Sequence, residues 1–375
     1  MRAAVLAALV LVLAGCGGGA SKTAAKFDVS AARLVPPDAK AFVEVDTHSH
    51  AAAWRAIAGL YEQQLDLNAL RAAAGEVLDV AVLGDEAVAF AKPDDEAKLR
   101  EVAARADYRV QKIGDWSVVA DSQKAFDAVR AAQAGRSLDN ADAAFGTAEH
   151  LKEGDALAWA FVRARGTWLT VRVRGDANAL RLDGDTSALD LSQTTYRPTL
   201  LRDVPSGAIA AVSFKDLDKA KLPALPLLNV IPPLRGEGVL YVLETALVPT
   251  FVLEVQSPDP QAAEQALRAT AAKLQARFGG VVALRVVRFG SRVVLTNAPA
   301  SLHTGGGALV DDQPFKDALA AADVPQRVTW LAYADTQRLK PLLQLLNVDS
   351  QALDKLGQVI AFGTQSHFVV RASLR

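Results

Sequence analysis

Four segments of this chain repeat one local pattern. A turn is followed by a short run of alternating apolar residues, which closes on a polar residue where a helix can begin. The segments are LVPPDAKAFVEVD (34–46), DVPSGAIAAVSFKDL (203–217), DVPQRVTWLAYAD (323–335) and, more loosely, KEGDALAWAFVR (152–163). Proline fixes φ and lacks an N–H, so it marks the turn and stays out of the strand interior. Alternation with period two marks the strand. A chain built this way folds from turn-bounded strands with helices between them.

Longer matches pair the two halves. VLDVAVLGDEAVAFAKPDDEAKLREVA (77–103) parallels GVLYVLETALVPTFVLEVQSPDPQAAEQALRATA (238–271), each with two strands, a Pro-Asp helix start and an Ala-rich helix. IGDWSVVADSQKAFDAV (113–129) parallels FGSRVVLTNAPASL (289–302), and residues 144–162 parallel 314–334. These pairings point to an internal duplication with halves at 27–196 and 197–375. Each half closes on a strand-rich stretch, 168–187 and 358–374. Helices are expected at 51–74, 96–106, 122–134, 261–278, 315–322 and 336–346. The expected class is α+β, mainly antiparallel sheets with amphipathic helices on one face.

The N-terminus carries the clearest chemistry. Arg2 is followed by an apolar run at 3–13, too short to span a bilayer and suited to a secretory signal. The sole cysteine among 375 residues is Cys16, in Leu13-Ala14-Gly15-Cys16. That ending resembles the lipobox of bacterial lipoproteins. The resemblance implies removal of residues 1–15 by cleavage between Gly15 and Cys16, and acylation of the Cys16 sulfur. Residues 16–26 then form a lipidated flexible tether, since GGGASKTAAK is small and polar. Two or more acyl chains hold a protein stably at a membrane, each buried CH₂ adding roughly 0.8 kcal/mol. The expected location is the outer face of the cell membrane, within the envelope.

Other chemistry is sparse. With one Cys, no disulfide scaffold or Cys-based zinc site forms. Lys+Arg 41 against Asp+Glu 42 gives no basic field for nucleic acid. There is no phosphate loop, nucleophile elbow, HExxH or full dinucleotide fingerprint, and no cofactor is implied. A weak metal candidate is Asp46, His48 and His50, which share a face if the strand continues. A strand end followed by a helix cap reads those residues more simply. Asp183-Gly184-Asp185 faintly resembles a calcium loop but lacks its later ligands, and a hairpin turn explains Asp183 and Gly184 better. Asp94-Asp95 and Asp311-Asp312 sit at helix starts, where carboxylates cap. Trp159 and Trp330 lie in matched strands one position out of step, so one of them faces outward. The Pro-rich stretch 222–234 offers Leu222, Leu225, Leu228, Ile231 and Leu234 as an interaction loop, or as a segment buried against the sheet.

Taken together, the lipobox, LVPPDAKAFVEVD, DVPSGAIAAVSFKDL and the Trp-bearing strands LAWAFV and VTWLAYA resemble bacterial lipoproteins of domain-of-unknown-function family 3352. The resemblance implies an envelope-facing α+β protein with no assigned activity. The sequence therefore points to a non-enzymatic envelope protein that binds an envelope protein or ligand. The alternatives are a carrier or sensor of a hydrophobic envelope molecule, and a hydrolase with dispersed residues.

Overall fold

The computed structural model describes residues 30–46, 73–75, 77–147, 156–164, 167–175, 178–187, 194–217, 232, 234–244, 249–277, 283–298, 307–345 and 355–375. The chain divides into two compact units, Met1–Asp185 with Leu374 and Thr186–Ser373 with Arg375. This boundary falls upstream of the one read from the sequence at 196/197. It cuts the end of a strand rather than a linker.

The first unit carries β1 (Ala41–Asp46), β2 (Val77–Leu83), β3 (Glu86–Ala91), β4 (Arg109–Ile113), β5 (Trp116–Ala120), β6 (Ala158–Ala164), β7 (Thr167–Gly175) and β8 (Ala179–Thr186). Its helices are α1 (Glu96–Arg105), α2 (Gln123–Ala134), α3 (Leu138–Ala141) and α4 (Ala143–Thr147). The second unit carries β9 (Ala208–Lys215), β10 (Glu237–Leu243), β11 (Thr250–Gln256), β12 (Arg285–Phe289), β13 (Arg292–Thr296), β14 (Trp330–Asp335), β15 (Leu356–Thr364) and β16 (His367–Leu374). Its helices are α5 (Pro260–Arg277), α6 (Gln313–Ala321) and α7 (Thr336–Leu345).

The class is therefore mixed α+β on antiparallel sheet. Within the first unit the strand order is β4-β5-β3-β2-β1-β6-β7-β8, and within the second β12-β13-β11-β10-β9-β14-β15-β16. Numbered one to eight within each unit, both sheets read 4-5-3-2-1-6-7-8. The four turn-strand segments of the sequence are the first and sixth strands of these sheets, which pair at each centre: β1 with β6, and β9 with β14.

Local chemistry sets the helix starts. Asp95 accepts from the Lys98 N–H, and the Ser122 hydroxyl accepts from the Ala125 N–H, satisfying donors that the first turn leaves open. On α1, Glu96 and Arg100, and Glu101 and Arg105, pair one turn apart.

Helices cover both faces of each sheet, which corrects the expectation of one covered face. All six residues of β1 are buried. On one face Phe42, Phe90, Val118, Trp159 and Phe161 pack with Phe126 of α2, Leu138 of α3 and Phe145 of α4. On the other, Val43, Val45, Val80 and Ala160 pack with Leu99 of α1 and with Ala73 and Ala74. In the second unit Tyr241, Leu331 and Tyr333 meet Phe315 of α6, while Phe214, Leu253, Val255 and Val293 meet Leu267 of α5. Ile209 and Val242 pack with Leu342 of α7. The sequence misleads here because Glu44 and Asp46 read as a wet face in AFVEVD, yet their exposures are 1% and 7%. The two tryptophans part as their registers require. Trp159 is fully buried, its ring 5.3 Å from that of Phe145, while Trp330 is half-buried and sits over Gly363 on the adjacent strand.

Candidate functional site

The second unit holds a cleft of about 660 Å³. Two isolated β-bridges lie beside it. Tyr196 pairs with Val328 through N–H donation in both directions, at 2.8 and 2.9 Å, and Pro205 pairs with Ala308. One wall is Arg197, Pro198, Thr199 and Arg202; the other is Ala308, Val310 and Asp311.

Both walls are fixed by carboxylates. Glu237, the first residue of β10, accepts from the Thr199 N–H and the Leu200 N–H with one oxygen, and from the Thr199 hydroxyl with the other. This caps the 3-10 turn Leu200–Arg202. Opposite, Asp312 accepts from the Ser206 hydroxyl and the Gly207 N–H, while the Leu309 N–H donates to the Val204 carbonyl at 2.8 Å. Asp312 was expected to cap α6. It holds the 206–207 turn instead, and its side chain makes no cap hydrogen bond to the helix.

Arg197 and Arg202 are exposed and make no ion pair or hydrogen bond through their guanidinium groups among the described residues. Among the described residues the Asp311 carboxylate reaches only the Lys316 ammonium, at 3.9 Å, and is largely exposed. Beneath the cleft, Tyr196 donates to or accepts from the Ser213 hydroxyl at 2.7 Å. Burial, together with the nearby Glu237 charge and despite that hydroxyl contact, pushes the Tyr196 phenol well above its ordinary range, so it stays neutral. The arrangement offers cationic donors, a mixed polar and apolar lining and a carboxylate acceptor.

A second polar cluster lies on the first unit. Asp183 accepts from Arg174 Nε and Nη2 at 2.9 and 2.6 Å, and from Arg181 Nε at 2.9 Å; Arg172 Nη2 stands 3.8 Å away. Burial pushes the Asp183 carboxyl up, but the hydrogen bonds from Arg181 and Arg174 outweigh it and hold the group below the usual aspartate range. The expected hairpin turn at Asp183 and Gly184 is corrected: both lie inside β8. On the same unit Glu44 and Asp79 face each other across β1 and β2, each 1% exposed and each engaged in polar contacts.

Of the metal candidates, Asp46 is buried at the end of β1, while His48 and His50 lie outside the described residues. Among the described residues no group of three or more His, Cys, Asp or Glu is placed to hold a metal. Gly15 and Cys16 also lie outside the described residues, as do Leu222, Leu225, Leu228 and Ile231. Leu234 is described: it is 1% exposed and packs with Phe214, Leu253 and Leu267. No described helix is long and apolar enough to cross a membrane.

The cleft escaped the sequence reading because Arg197, Arg202 and Asp311 form no motif. Segments far apart in sequence bring them together, through the Pro205–Ala308 bridge, the Leu309 N–H bond to the Val204 carbonyl and the contacts of Asp312. No family model, curated protein or solved structure matches this chain.

Proposed function

We propose that this chain is a lipid-anchored protein of the bacterial envelope that binds a ligand or partner and performs no chemistry on it. Export and anchoring rest on Arg2, the apolar run at 3–13 and Cys16 in its lipobox-like setting. Binding rests on one observation: the second unit holds a cleft, its walls fixed by Glu237 and Asp312, that carries two guanidinium groups with no partner among the described residues. Volumes of roughly 300–1,000 Å³ with a few convergent polar groups are typical of ligand sites. The likeness to family 3352 lipoproteins belongs to the same reading. Cross-linking in intact cells followed by affinity purification of the full chain tests it. Enrichment of a specific envelope component supports it, and recovery of the bare chain alone counts against it.

The two units are further read as descendants of one duplicated sheet. The shared order 4-5-3-2-1-6-7-8 and the matched segments 77–103 and 238–271 support this.

Carriage of a hydrophobic molecule is the second reading. Val212, in the middle of β9, is 38% exposed. Native mass spectrometry of membrane-extracted protein then shows bound lipid, and a clean unliganded mass rejects carriage.

A further inference from the structure

We infer that the ligand of the second-unit cleft is a small anion, bearing a carboxylate or phosphate group together with a hydrogen-bond donor. This rests on the reading that the protein is a binder, and names what it binds.

The anionic group is met by Arg197 and Arg202, which line the cleft. A guanidinium presents five N–H donors in a planar fork matched to carboxylate and phosphate oxygens. Both forks project from one short segment, with no described acceptor engaging either. Both line the same cleft, and an anion bound there takes up their donors.

The same lining carries an acceptor. Asp311, when ionised, only accepts hydrogen bonds, so it favours a ligand that also bears a hydroxyl or ammonium. Pro198, Ala308 and Val310 add apolar surface for a short carbon skeleton.

The walls also hold their shape before binding. Glu237 ties the Thr199–Leu200 backbone, and Asp312 ties the 206–207 turn beside the 307–309 segment. Preorganised donors lose less freedom on binding than mobile ones. Because both arginines are exposed, the interaction weakens as salt rises.

The test uses full-length, detergent-solubilised protein with citrate and, separately, inorganic phosphate as probes. Phenylglyoxal modification mapped by peptide mass spectrometry reports the site, and calorimetry reports affinity. Citrate is expected to protect Arg197 and Arg202 saturably, leaving exposed Arg136 unprotected. R197Q/R202Q is expected to weaken calorimetric binding at least about tenfold, one guanidinium contact to a charged group being worth roughly 1.5–3 kcal/mol. Protection by phosphate alone assigns a phosphate ligand, and protection by citrate alone a carboxylate. Equal protection of Arg136, or unchanged affinity in R197Q/R202Q with unchanged thermal unfolding, overturns the assignment. If neither probe protects, yet cross-linking still captures an envelope component, the binding reading stands and the anionic ligand falls.

Discussion

Gly238 lies directly beneath the ring of Phe214, its register partner on the neighbouring strand. A Cβ built on Gly238 would fall 2.3 Å from two ring carbons. Phe214 covers the glycine and joins the core under α5. Gly238→Ala forces that ring aside and is expected to cost about 1–3 kcal/mol, the usual penalty for overpacking. Urea unfolding measures it. The F214L/G238A pair should lose less than the sum of the two single variants, since the ring that clashes is gone.

Trp159 and Trp330 occupy matched strands with opposite fates. Trp159→Ala removes a fully buried indole edge-on to Phe145 and is expected to cost about 3–5 kcal/mol. Trp330→Ala, from a half-buried position, should cost less than half as much. Comparing the two unfolding midpoints checks the ordering, and equal losses would contradict the packing described.

Acid should act on the two units in opposite directions. The Asp183 carboxyl is subject to burial, which raises it, but hydrogen bonds from Arg181 and Arg174 prevail and its folded pKa is depressed. Its stabilisation is present above the unfolded value of about 4 and is lost as pH falls through the folded value. Burial, aided by Asp203 and opposed by Arg292, raises Glu254 instead. Its contribution is full below the unfolded value of about 4.3 and is lost as pH rises through the folded one. Hydrogen exchange followed from neutral pH down to about pH 3 should show amides around β11 gaining protection first and those around β8 losing it later. D183N should remove the late loss. E254Q should flatten the early gain.

Glu237 ties three groups of the cleft wall. Glu237→Ala leaves the Thr199 and Leu200 N–H groups without their acceptor and is expected to cost about 1–2 kcal/mol. Glu237→Gln keeps one acceptor oxygen and should recover part of the loss. Thermal unfolding of the three proteins gives the order.

Cys16 carries the anchoring prediction. Metabolic labelling with a fatty-acid analogue is expected to label the wild-type chain and not Cys16→Ala, and the variant should shift from the membrane fraction to the soluble one. A labelled C16A protein would refute acylation at that sulfur.

Much of the element pattern was legible along the chain. The helix expected at 96–106 is Glu96–Arg105, that at 122–134 is Gln123–Ala134 with Ser122 as cap, and that at 261–278 is Pro260–Arg277. Capping residues and 3.6-residue periodicity are local signals, so they survive without the rest of the fold. Leu138–Ala141 and Ala143–Thr147 were missed, being too short to show a period. The second covered face was missed because Glu44 and Asp79 are buried polar residues that imitate a solvated one. The cleft was missed for a third reason. Its charged residues lie on segments about a hundred residues apart, joined by the Pro205–Ala308 bridge and the hydrogen bonds of Leu309 and Asp312, and no spacing along the chain encodes that.

The shared strand order has a consequence for how the chain reaches its native state. In each unit the first strand formed is the central one, and its second neighbour is the sixth: residues 41–46 await 158–164, and 208–215 await 330–335. Each sheet can grow by local pairings on either side, β1-β2-β3 and β6-β7-β8 in the first unit, but its middle is joined only by the non-local pair. Such non-local closure slows folding. Until it occurs, β1 and β9 present unpaired edges to any neighbouring chain. A nascent or truncated product ending before β6 would thus be a sticky half-sheet, and the yield of this protein should depend on keeping chains apart until that strand arrives.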